Sequence, residues 1–183
     1  HGNLKFYQKL NLQIDKKNII CFASIHREEF EKVLKIIKNL DLNSVEQVII
    51  IPRHIHFSSK LKSMIKNFYS NKIFILEKFG ENDIAYENSK LTFMGGSLFE
   101  HGGQNPIEPL SKGCFVLSGQ YINNFSEIYE DLENLSLAKV FKEKNNEEIG
   151  SAINKYIEME LNNEANIKDY FNLHIKQLSS IIN

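Results

Sequence analysis

Short apolar runs recur along the chain at regular intervals: 19–23, 48–51, 73–76, 91–94 and 114–117. Each is strand-length and free of charged residues, the pattern of a parallel strand covered on both faces. The intervening segments carry apolar residues at helical spacing instead. Phe30, Val33, Leu34 and Ile37 mark one such face, and Phe57, Leu61, Met64, Ile65 and Phe68 a second. Ile84 and Ala85 mark a shorter helix over 81–89, and Gly113 is placed to cap the helix before the fifth strand. A short helix around Ile128 follows that strand, and residues 137–141 give a candidate sixth strand interrupted by Lys139. Two striped helices close the sequence, the first on Ile149, Ala152, Ile153, Tyr156 and Ile157, the second on Ile167, Tyr170, Phe171, His174 and Leu178. Residues 2–18, around Leu4, Phe6 and Leu10, read as a linker or edge element, with 142–148 and 162–164 as polar connectors.

Strands alternating with helices predict a doubly wound, Rossmann-like parallel α/β sheet in one domain over 2–183, ending in a terminal helix over 163–183. In such sheets ligands bind beyond the carboxyl ends of the strands, near the point where strand order reverses. That places Ser24, His26, Arg53, His54, Gly80, Glu81, the 95–108 loop and Asn123-Asn124 on one rim.

The stretch from Met94 to Pro109 is the densest in chemistry. Gly95-Gly96 and Gly102-Gly103 follow a buried strand, and Asn105-Pro106-Ile107-Glu108-Pro109 opens a helix. Glycine pairs let a ligand approach backbone N–H groups, and a helix start favours an anion, so the stretch is a candidate phosphate cradle. Helix capping alone also accounts for Asn105 and Glu108, which stand at capping-box spacing with Pro106 in the first turn. Pro109 would forfeit a hydrogen bond inside that helix, which gives an alternative start at Pro109 itself.

Composition narrows the rest. A chain of 183 residues suits one well-packed domain, and a net charge of −1 argues against a nucleic-acid module. No apolar run approaches membrane-spanning length and no signal-peptide pattern is present. Cys21 and Cys114 both sit inside apolar runs, as buried thiols of a reducing compartment do. Arg53 offers a planar pair of donors for a phosphate or carboxylate, and Glu108 can accept from a ribose diol. His26, His54, His56 and His101 share the rim, but no helical His-x-x-x-His pair or cysteine joins them, so no metal is expected. His54 and His56 alternate, so one of them faces a ligand on an extended segment. No Ser-His-Asp set and no convergent carboxylate pair is evident, and the rim reads as a binding site.

Gly95-Gly96-Ser97-Leu98 and His101-Gly102-Gly103-Gln104-Asn105-Pro106-Ile107-Glu108-Pro109 resemble the hallmark segment of the 3-deoxy-D-manno-octulosonic acid (Kdo) transferases. The resemblance extends to Gly2-Asn3-Leu4-Lys5-Phe6, Ala23-Ser24-Ile25-His26, Pro52-Arg53-His54, Gly80-Glu81 and Asn124-Phe125, in matching order. Gln104 stands where histidine is frequent, Ile25 where threonine is common, and Glu28-Glu29 follow Arg27 in place of the usual glycine. The resemblance implies the C-terminal, nucleotide-sugar half of a GT-B-type glycosyltransferase, without the N-terminal acceptor domain that carries the general base. It implies CMP-Kdo as donor and transfer to a lipid A precursor in lipopolysaccharide synthesis. Transfer is expected to proceed without metal or cofactor, at the cytoplasmic face of the bacterial inner membrane. The full protein would meet that membrane peripherally through the absent half, leaving this portion soluble and, alone, inactive. It puts Ser24 and Arg53 near the phosphate, with Gly95, Gly96 and Ser97 forming its cradle. His54, Gly80 and Glu81 lie near the base, and Asn105 and Glu108 hold the ribose. Alternatives are a GT-B-type UDP-sugar transferase or epimerase domain, or a non-catalytic nucleotide-binding module.

Overall fold

The computed structural model describes residues 17–66, 71–77, 80–142, 144–161 and 163–182, with side chains as far as His174 in the last helix. Most of the expected lead-in, Phe68 and the Leu178 side chain lie outside the described residues.

Six strands form one sheet in the order β3-β2-β1-β4-β5-β6, and every neighbouring pair is parallel. They are β1 (Ile19–Ile25), β2 (Gln47–Pro52), β3 (Ile73–Ile75), β4 (Leu91–Met94), β5 (Phe115–Ser118) and β6 (Ala138–Val140). The helices are α1 (Phe30–Lys38), α2 (Ser58–Ile65), α3 (Asn82–Asn88), α4 (Ile107–Ser111), α5 (Ser126–Asn134), α6 (Asn146–Glu158) and α7 (Glu164–Ile182).

The two-residue period of the strands divides the interior into two cores. Ile20, Phe22, Val48, Ile50, Leu91, Phe93, Phe115 and Leu117 point to the face covered by α1, α2 and α6. Cys21, Ala23, Met94, Cys114 and Val116 point to the opposite face, beneath α3, α4, α5 and α7. The continuous apolar runs exist because central strands are covered on both sides, which is why sequence and structure agree so closely here. Lys139 does not abolish β6: it is half-buried at an edge strand, and its ammonium pairs with Glu133 at 2.9 Å.

Element boundaries shifted where caps, not apolar periodicity, decide them. The connector expected over 142–148 is cut short because α6 starts at Asn146. There the Asn145 side chain accepts from the Glu148 N–H, and the Glu148 carboxylate accepts from the Asn145 N–H, both at 2.9 Å. Among the described residues no helix is long and apolar enough to cross a membrane.

Candidate functional site

Strand order reverses between β1 and β4, so the loops leaving these two strands part to open a crevice at their carboxyl ends. The strands are held unusually close there. Ser24 has a positive φ of 55° at a break in the β1–β2 register, which turns its carbonyl toward β4. Gly95 lies directly against it: a Cβ at this position would sit 2.3 Å from the Ser24 carbonyl oxygen. Only glycine fits, and its N–H donates to the Ala23 carbonyl at 2.8 Å. Ser24 and Gly95 therefore form the floor of the crevice.

The amides above that floor have an internal partner. Glu29, fully buried at the start of α1, sends its carboxylate into the glycine loop. One oxygen accepts from the Ser97 and Leu98 N–H groups at 3.0 and 2.9 Å. The other accepts from Gly96 and from His26 at 2.8 and 2.9 Å. The Ser97 hydroxyl is committed as well: it donates to the Met94 carbonyl at 2.6 Å and accepts from the Gly119 N–H at 2.9 Å. The expected phosphate cradle at Gly96 and Ser97 is thus corrected. The nest exists, but a side-chain carboxylate fills it, and these two residues shape the site without offering free donors. The sequence signal was the spacing His26-x-x-Glu29 ahead of a striped helix, a capping-box spacing with an unusual first residue.

Beyond Leu98 the loop is clamped by the segment after β5. The Gly102 carbonyl accepts from Asn124 at 3.0 Å, and the Ser97 carbonyl accepts from Tyr121 at 3.1 Å. The Asn124 amide packs so tightly on Gly102 that a Cβ there would approach to 2.3 Å. Beneath the loop the Tyr129 phenol donates to the Gln104 carbonyl at 3.5 Å, and burial pushes its pKa up.

The crevice wall on the β1 side carries a stacked pair of imidazoles. His26 and His101 lie 4.3 Å apart with planes 12° from parallel, and His101 reaches Glu28 at 3.9 Å. Burial lowers the His26 pKa most, Glu29 opposes that, and His101 and Arg53 lower it further. His26, Glu28 and His101 bring one ligand atom each within 4.8 Å of one another, so they are the described residues that could hold a metal. In-plane lone pairs on nearly parallel rings do not converge, however, which makes the imidazole pair a poor chelate.

Arg53 leaves the end of β2 with its N–H bonded to the Ile25 carbonyl at 2.8 Å, and its side chain is exposed. Among the described residues its guanidinium makes no ion pair, so it is free to meet an anion. His54 is also exposed, and stacks on His56 at 5.6 Å, so these rings share a side instead of opposing each other. A 3-10 turn over Ile55–Phe57 replaces the extended segment assumed from sequence.

Asn105 and Glu108 do not form a capping box. The Asn105 carboxamide oxygen accepts from the Ile107 N–H at 3.0 Å, α4 begins at Ile107, and the Glu108 carboxylate is left exposed. Pro109 is accommodated because a helix this short needs no hydrogen bond from it. Gly80 takes a φ of 82° before α3. Glu81 lines a cavity of about 370 Å³ with Ile19, Ile49 and Leu76 on the face of β1 and β2.

A six-stranded parallel sheet in this order, with a glycine-lined crevice at the switch point, is the doubly wound fold that GT-B-type glycosyltransferase domains also have. The chain superposes with a TM-score of 0.66 on the C-terminal CMP-Kdo binding domain of WaaA from Acinetobacter baumannii. That match is 19% identical and covers 96% of this chain and 98% of that one. WaaG, a glycosyltransferase involved in lipopolysaccharide biosynthesis, gives a TM-score of 0.62 at 13% identity over 92% of this chain and 46% of WaaG. By sequence the chain is similar to 3-deoxy-D-manno-octulosonic acid transferases. It is 30% identical to that of Rickettsia conorii over 69% of this chain, and 31% identical to that of Aquifex aeolicus over 72%. The Rickettsia typhi protein is 27% identical over 92%. These alignments cover 33%, 40% and 41% of the three relatives, so the chain spans well under half the length of the curated proteins it matches. No protein-family model matches it.

Proposed function

We propose that this chain is the donor-binding half of a Kdo transferase, taking CMP-Kdo in the crevice between β1 and β4. The observation that carries the reading is the match, over nearly its whole length, to the CMP-Kdo binding domain of WaaA, with the crevice at the sheet's switch point. Arg53, exposed at the rim and without an ion pair among the described residues, meets the phosphate, with Ser24 and Gly95 beneath it. Asn105 and the exposed Glu108 carboxylate receive the ribose, and His54, Gly80 and Glu81 border the base. Gly96 and Ser97 contribute by fixing the loop. As the glycosidic bond breaks, the guanidinium stabilises the charge gathering on the departing CMP.

The acceptor, a lipid A precursor, and the general base belong to the other half of the enzyme, which would meet the cytoplasmic face of the inner membrane. This half alone then binds donor and does not complete transfer. Calorimetry should show saturable CMP binding that Arg53→Ala weakens by about 1.5–3 kcal/mol, the worth of a charge-assisted hydrogen bond. Unchanged affinity in that variant would remove Arg53 from the site. Turnover of CMP-Kdo onto a lipid acceptor by this chain alone would overturn the division of labour.

A further inference from the structure

We propose that Glu29 is a positioning residue for the donor crevice: its carboxylate permanently occupies the anion seat of the glycine loop. It thereby fixes Gly96–Leu98 against β1 and turns the donor's phosphate outward to the Arg53 side. This rests on the donor-binding reading above.

The hydrogen-bond inventory carries the inference. Four backbone donors converge on two carboxylate oxygens, two to each, at 2.8–3.0 Å. A carboxylate oxygen has two lone-pair sites, so acceptors and donors are matched with none left over. The carboxylate is fully buried, where a second anion entering the same nest would meet an unscreened like charge. The loop is also pinned from outside the nest. Gly96 accepts from Gly103 at 2.8 Å, and Leu98 accepts from the Lys32 ammonium at 2.7 Å. A loop held on both sides is preorganised, so donor binding does not spend free energy ordering it. The consequence for the ligand is geometric: its phosphate needs cations other than the loop amides, and Arg53 is an exposed one at the rim, whereas the neighbouring exposed Arg27 lies over the Phe57 ring at 5.2 Å.

The test uses the full chain and amide-resolved NMR, with inorganic phosphate and CMP as separate probes. In the wild type, phosphate leaves the His26, Gly96, Ser97 and Leu98 amides unmoved, and their exchange with solvent is slow. In Glu29→Ala, phosphate enters the vacated nest and moves these four amides. Their exchange accelerates at least about tenfold while that of β1, β4 and β5 is kept, and CMP affinity falls about tenfold, the loss of roughly one charge-assisted bond. Glu29→Gln keeps the shape but replaces one acceptor oxygen by a donor, and falls between the two. It carries the same readouts if the alanine variant does not fold. Phosphate moving the four amides in the wild type would overturn the proposal, as would Glu29→Gln with native exchange and native CMP affinity. A wild type that does not bind CMP would sink the donor reading, while the exchange and phosphate readouts would still judge Glu29 separately.

Discussion

Replacing Gly95 by alanine tests whether the crevice floor needs the contact between β1 and β4 to be as close as it is. The new methyl would stand 2.3 Å from the Ser24 carbonyl oxygen, 2.7 Å from its carbon and 2.8 Å from the Ile25 Cα. All three are backbone atoms, so no side chain can swing away, and the strand ends must part by roughly 1 Å to restore van der Waals distance. Overpacking of this kind costs about 1–3 kcal/mol. Parting the strands also stretches the bond from Gly95 to the Ala23 carbonyl, 2.8 Å long, at about 0.5–1.5 kcal/mol. A destabilisation of about 2–4 kcal/mol follows, or roughly 5–15 °C in Tm for a domain of this size. Denaturant melts give the first figure and calorimetry the second. CMP affinity should fall in parallel, because Ser24 and Gly95 share the floor. An alanine variant within about 0.5 kcal/mol of the wild type, the scatter of ordinary surface changes, would refute the close-contact reasoning.

Two further perturbations probe the site's electrostatics and the frame around it. The His26 pKa is lowered, chiefly by burial, from an ordinary value of 6.5. The unfolded chain therefore binds more protons as pH falls through that window, and stability fully present above 6.5 is lost as pH drops toward the folded value. Melts at about pH 7.5 and about pH 5.5 should show the loss, and His26→Asn should shrink it; an equal drop in both proteins would place its origin elsewhere. Asn145→Ala removes the side-chain half of the α6 cap and should cost about 1 kcal/mol in a denaturant melt, with CMP affinity untouched. A change under a few tenths would mean that the cap is not limiting.

The sheet was legible in the sequence because its strands are buried on both faces: the runs at 19–23, 91–94 and 114–117 leave no helical alternative of that length. The rim followed from topology: Ser24, Arg53 and the 95–108 loop all lie at or follow the carboxyl ends of β1, β2 and β4, which neighbour one another in the sheet. Which groups on the rim are free was not legible. Gly96 and Ser97 looked like phosphate donors because nothing in their own segment reveals that Glu29, 67 and 68 residues earlier, supplies the anion. Asn105 and Glu108 had capping-box spacing, yet the helix starts at Ile107 with Pro106 at its N-cap, and the Asn105 oxygen turns to the Ile107 N–H instead. A hydrogen bond across the sheet's switch point is a tertiary fact, and local spacing does not encode its partner.

The central claim, a donor site for a CMP-linked sugar, is tested most directly by titrating the chain calorimetrically with CMP, UMP and UDP. CMP should bind tightest, and Glu108→Ala should weaken it through the ribose. Tighter binding of UMP or UDP would contradict the claim and make the chain a donor domain for a UDP-sugar.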